Sequence, residues 1–122
     1  MEPRTVARLH ALGRVGFGLA LALRPGPTGE AWIGPAGARP AAQVVTVAVG
    51  ARDLGLGLGT LRALGAGAGA RPWLLAGVLA DAADAAATVR GRGHLSPVAV
   101  GAVGALGAGS ALVGLWLQRE LD

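Results

Sequence analysis

Four apolar runs, at residues 6–23, 41–64, 73–89 and 97–117, take up most of this 122-residue chain. Each is close to the ~20 residues that a helix rising 1.5 Å per residue needs to cross a hydrocarbon layer ~30 Å thick. The spacing predicts an all-α fold: one domain, residues 1–122, forming an integral membrane bundle of four transmembrane helices. A multi-pass protein of the cell membrane, in contact with membrane lipid, is the expectation that follows.

Apolar residues make up 52% of the chain, which sets it apart from ordinary water-soluble domains. The formal charge is +4, and all eleven basic residues are Arg. A nucleic-acid surface needs those charges gathered on one wet face, whereas here they stand mainly at the ends of apolar runs, a placement that suits lipid head groups. No nucleic-acid partner is expected. The absence of cysteine excludes disulfides, thiolate metal sites and Cys nucleophiles.

Arg4 and Arg8 ahead of an apolar stretch have the look of a signal peptide, but His10 and Arg14 interrupt that stretch and Leu23-Arg24-Pro25-Gly26 is a poor cleavage site. We expect the segment to be retained as the first span. Pro25-Gly-Pro27 should end it, leaving residues 24–40 as the longest polar connection, with Trp32 at the membrane interface. Residues 65–71, alternating Gly and Ala, read as a flexible connector. Pro72-Trp73 suits a first helical turn and an interfacial anchor, and Ser96-Pro97 an N-cap followed by proline at the first helical position. Arg4, Arg8, Arg62, Arg71 and Arg119 flank the spans on the N-terminal side, and Arg24, Arg39, Arg90 and Arg92 on the other. So even a split gives the positive-inside rule little to act on; we place both termini in the cytoplasm.

Charges within a span cost about 2.5–3.5 kcal/mol each on insertion scales, so those near mid-span are the natural functional candidates. They are Arg14, Arg52, Asp53, Asp81 and Asp84. Asp81 and Asp84, three apart, share a helix face with Gly77 and Thr88. Thr46, Gly50 or Val49, Asp53, Gly57 and Thr60 form a similar stripe on the second span, and His10, Arg14 and Gly18 on the first. Three stripes directed at one interior would let Arg14 or Arg52 meet the acids. The fourth span carries no charge and reads as a scaffold helix.

Paired carboxylates suit general acid–base work, which makes Asp53, Asp81 and Asp84 the catalytic candidates and Arg14 and Arg52 the substrate-binding ones. Trp32 is first a belt residue; as a lid over a pocket it joins the substrate-binding set. His10 reads as an interfacial helix residue and His94 as solvated in a basic turn. Asp-x-x-Asp also occurs in magnesium diphosphate sites, but two acids without a basic cluster on the same helix are too few. No metal or cofactor is expected. Gly101-x3-Ala105-x3-Gly109 and Gly55-x3-Gly59 are small-x3-small patterns of the kind that lets helices approach closely in lipid.

Arg14-x-Gly16, Pro25, Trp32-x-Gly34, Pro40, Arg52-Asp53-Leu-x-Leu-Gly57-x-Gly59, Trp73 and Asp81-x-x-Asp84 together resemble a family of uncharacterised, small four-span membrane proteins of actinobacteria and related bacteria. That resemblance implies the four-span topology and adds weight to the charged residues, without supplying a reaction. In length and span number the chain is also similar to the small multidrug-resistance transporters, but it has Arg14 in the first span where those carry an acid.

The leading functional expectation is a charged intramembrane pocket that binds or converts a small hydrophobic ligand by acid–base chemistry. The alternatives are a small proton-coupled transporter, working as a homo-oligomer, or a structural subunit whose charges form a buried ion-pair network.

Overall fold

Proline placement sets the element boundaries. In the computed structural model, which describes residues 1–121, all five α-helices carry proline at the first or second position: α1 (Pro3–Leu23), α2 (Pro25–Ile33), α3 (Pro40–Gly65), α4 (Arg71–Arg90) and α5 (Pro97–Glu120). There the missing N–H would have found no helical partner and the ring already holds a helical φ. Ser96 caps α5, its Oγ accepting from the Ala99 N–H at 3.1 Å. Short 3-10 turns, Pro35–Ala38 and Arg92–His94, fill the connections before α3 and α5. Among the described residues there is no strand.

Of these helices, α1, α3, α4 and α5 are long and apolar enough to cross a membrane. The segment expected as a polar connection is instead helical. Pro25 and Pro27 do end α1, yet both fall in the first turn of a new helix, α2, where proline is tolerated. α2 folds back on the following turn at Gly29 and Gly37, where a Cβ on Gly37 would lie 2.2 Å from the Gly29 carbonyl oxygen.

The four long helices alternate in direction, and they pack as two close pairs. Along α1 and α3, backbone meets backbone at glycine: a Cβ on Gly50 would lie 2.7 Å from the Ala22 nitrogen and the Gly18 oxygen, and one on Gly57 would lie 2.8 Å from the Ala11 oxygen. Along α4 and α5, a Cβ on Gly107 would stand 2.9 Å from the Asp81 oxygen. Without a hydrophobic drive between helices in lipid, such close backbone approach is a main source of attraction. The glycines singled out from sequence spacing do something else. Gly101, Gly109 and Gly55 face open space, while Gly59 makes room for the Trp73 ring.

The pairs join in two ways. At the end of the bundle that holds the termini, Ala7, Ala63, Leu64, Ala70, Leu74 and Leu117 form an apolar core; within the first pair, Arg4 donates to the Leu64 carbonyl at 2.9 Å. Further in, the seam is ionic. Outward, Val44, Val45, Leu58, Leu79, Leu106 and Leu112 on the long helices are all at least half exposed. An apolar exterior around a polar interior is the arrangement that hydrocarbon surroundings favour.

Candidate functional site

The charged residues are brought together near the middle of their helices. Arg14 reaches from α1 between α3 and α4, with Nη1 donating to Asp53 Oδ1 and Nη2 to Asp81 Oδ2. Gly77 makes that reach feasible, since a Cβ there would lie 3.2 Å from Arg14 Nη2. Arg52 grips Asp84 bidentately, Nη1 to Oδ1 at 3.1 Å and Nη2 to Oδ2 at 2.5 Å, and Nη2 also donates to Asp53 Oδ2 at 3.1 Å. A planar fork matched to a carboxylate is the strongest form such a pair takes. Asp53 is thus held by both arginines. It is also the most enclosed of the acids, 2% exposed, while the Asp84 and Arg52 side chains retain 18% and 33% of their exposure.

Two further groups extend the network: Ser110, unmarked by the sequence, and His10, which shares the first span's stripe with Arg14. Ser110 on α5 donates to Asp81 Oδ2 at 2.6 Å and lies 2.8 Å from His10 Nε2. A serine has one hydroxyl proton, and here it goes to Asp81; Oγ therefore accepts from His10 Nε2–H, which fixes the protonated ring nitrogen. His10 is accordingly part of the interior rather than an interfacial residue, and α5 is more than a scaffold. A serine in an apolar run has no periodic partner to mark it, and His10 finds its partner a hundred residues away.

Trp32 is drawn inward as well. Its indole N–H donates to Thr88 Oγ1 at 3.1 Å, and Thr88 Oγ1 donates to the Asp84 carbonyl oxygen at 2.7 Å. His94 is exposed, in keeping with a solvated turn.

Against this network lies a cavity of about 410 Å³, within the range of roughly 300–1,000 Å³ usual for small-molecule sites. The enclosed groups Arg14, Asp53, Asp81 and Asp84 form its floor, and His10, Ser110 and Trp32 also line it. Its lip is apolar, built from Gly13 and Phe17 of α1 and from Val103 and Leu106 of α5. Phe17 is 50% exposed and Leu106 69%, so the opening lies between α1 and α5, at mid-length on both helices.

Arg14, Asp53, Asp81, Asp84 and Trp32 all line this cavity; Arg52 stands behind it, holding Asp84 and Asp53. Among the described residues no three His, Asp or Glu side chains are grouped as metal ligands. Each of the three aspartates is engaged by a guanidinium. No family model matches the chain, and neither the curated proteins nor the solved structures yield a match.

Proposed function

We propose that this chain is a multi-pass protein of the cell membrane that binds a small lipophilic molecule in the chamber between α1 and α5. The observation that carries the proposal is the cavity itself: a charged floor under an apolar opening, both at mid-length on helices of membrane-spanning size. At 1.5 Å per residue that level corresponds to the acyl-chain region of a bilayer, so the opening would meet lipid rather than water. Intramembrane charges are costly wherever they stand, and a chamber beside them gives the cost a use.

Binding has firmer support than conversion. A reaction would need a general base set against a substrate proton, whereas the role the geometry gives each of these acids is pairing with at least one arginine, which holds a charged surface in place. That same complete pairing favours the second reading, an ion-pair network that fixes which helices meet and in what register.

The test is to recover the protein in nanodiscs formed directly from its host membrane and to identify co-purifying small molecules by native mass spectrometry, beside a Gly13→Leu variant. Gly13 lines the cavity, and a Cβ there meets nothing within 4 Å, so leucine fills the chamber without displacing the fold. The expected result is a bound species carried by the wild type and lost from the variant. Empty protein in both would leave the structural network as the better account.

A further inference from the structure

We infer that the chamber is selective for amphiphiles whose head group donates hydrogen bonds and carries no negative charge, such as a primary alcohol or a protonated amine. This rests on the binding reading above and specifies its ligand. The wall facing the cavity holds three carboxylates, Asp53, Asp81 and Asp84, against one guanidinium, Arg14; the second arginine, Arg52, is not part of the lining. Counting Arg52 as well, the five groups sum to one negative charge.

Hydrogen bonding adds an open acceptor to this charge. Two of the five N–H groups of Arg14 go to carboxylates, the Ser110 proton goes to Asp81, and the Trp32 N–H goes to Thr88. A carboxylate offers about four acceptor positions on its two oxygens. Both recorded bonds to Asp81 fall on Oδ2, and Oδ1 accepts from no donor among the described residues. Asp81 lines the chamber, so a donating head group seated there finds an open acceptor on a wall that is negative overall. An anionic head would add a fourth negative charge to the wall and be repelled by it.

The apolar lip supplies the other half of the ligand. Phe17, Val103 and Leu106 belong to the lining, and with Phe17 and Leu106 at least half exposed a hydrocarbon tail leaving the floor has an apolar path along them between α1 and α5.

The experiment uses the full chain in nanodiscs of zwitterionic lipid, with Trp73→Phe and Trp116→Phe so that Trp32 is the only indole. Three brominated probes of equal chain length, an alkylamine, an alkyl alcohol and an alkyl sulfonate, are titrated and the quenching of Trp32 is followed. We expect saturable quenching by the amine and the alcohol, with the sulfonate at least about tenfold weaker, the equivalent of 1.4 kcal/mol. Gly13→Leu should abolish the saturable phase. Gly16→Leu, on the same helix at an open position outside the cavity, should preserve it. A sulfonate that binds as well as the amine overturns the head-group inference while leaving the binding reading intact. Quenching that never saturates with any probe, and is the same in Gly13→Leu, removes both.

Discussion

Two levels of this bundle solve the same problem differently. At the end holding the termini, the long helices meet through Ala7, Leu64, Leu74 and Leu117, with Ala7 and Leu117 fully enclosed. Two turns further along α1, at Arg14, they meet through guanidinium and carboxylate groups and leave a cavity. The apolar level closes space because small and branched side chains can interdigitate there. The ionic level keeps space open because each charge holds its partner at a fixed distance, and no side chain fills the gap between α1 and α5. The first level can therefore hold the helices together while the second is shaped for contents.

The sharpest way to break this comparison is to remove the charge that spans the seam. Arg14→Met strips Asp81 of its guanidinium partner and leaves Asp53 with Arg52 alone, and breaking a buried pair by removing one partner costs about 3–5 kcal/mol. We expect a loss of that size in the free energy of unfolding, followed by denaturant titration or steric trapping in lipid. Arg14→Lys should recover only part of it, because a single ammonium lacks the fork that serves two carboxylates. A loss below about 1 kcal/mol for Arg14→Met would mean that the ionic level contributes little to holding the pairs together.

The apolar level should respond less strongly and in a different manner. Leu117 is fully buried, and truncating such a residue in a water-soluble core costs 2–5 kcal/mol. Lipid is as apolar as the core, so only the packing part of that loss applies. We expect Leu117→Ala to lose about 2 kcal/mol, at the lower end of that range, with ligand retention in the chamber unchanged. Loss of the ligand together with stability would show that the two levels are mechanically one.

The contrast also explains what was legible in the sequence. Hydrophobic run length is a local property, and the runs at 6–23, 41–64, 73–89 and 97–117 correspond to α1, α3, α4 and α5. α2 escaped because Pro25 and Pro27 read as a stop, although proline in a first turn starts a helix as readily as it ends the one before. Stripes three and four apart put Asp53 and Asp81 on inward faces, since that periodicity belongs to each helix alone. Partner choice is a tertiary matter: nothing in the spacing tells Arg14 to take Asp53 and Asp81, or Arg52 to take Asp84. Glycine shows the same limit. Small-x3-small spacing drew attention to Gly101 and Gly109, which face outward; Gly18 and Gly50 share the polar stripes and do pack inward, whereas Gly107, at a close backbone approach on α5, is defined only by the helix opposite.

The smallest expected effect tests the one contact by which α5 enters the ionic level. Ser110→Ala removes a hydroxyl that donates to Asp81 and accepts from His10. Asp81 keeps its pairing with Arg14, so no charge is stranded, and side-chain hydrogen bonds between membrane helices average only about 0.6 kcal/mol. Stability should fall by roughly that amount. The larger signal should come from His10: with its acceptor gone, Nε2–H has no fixed partner, and the nitrogen resonances of the ring should move. His94, exposed in its turn, serves as the internal reference. A His10 spectrum unchanged in Ser110→Ala would place the imidazole outside the network. A change at His10 with stability nearly intact would show that α5 joins the charged level to orient groups around the chamber, leaving the apolar end to hold the helix in place.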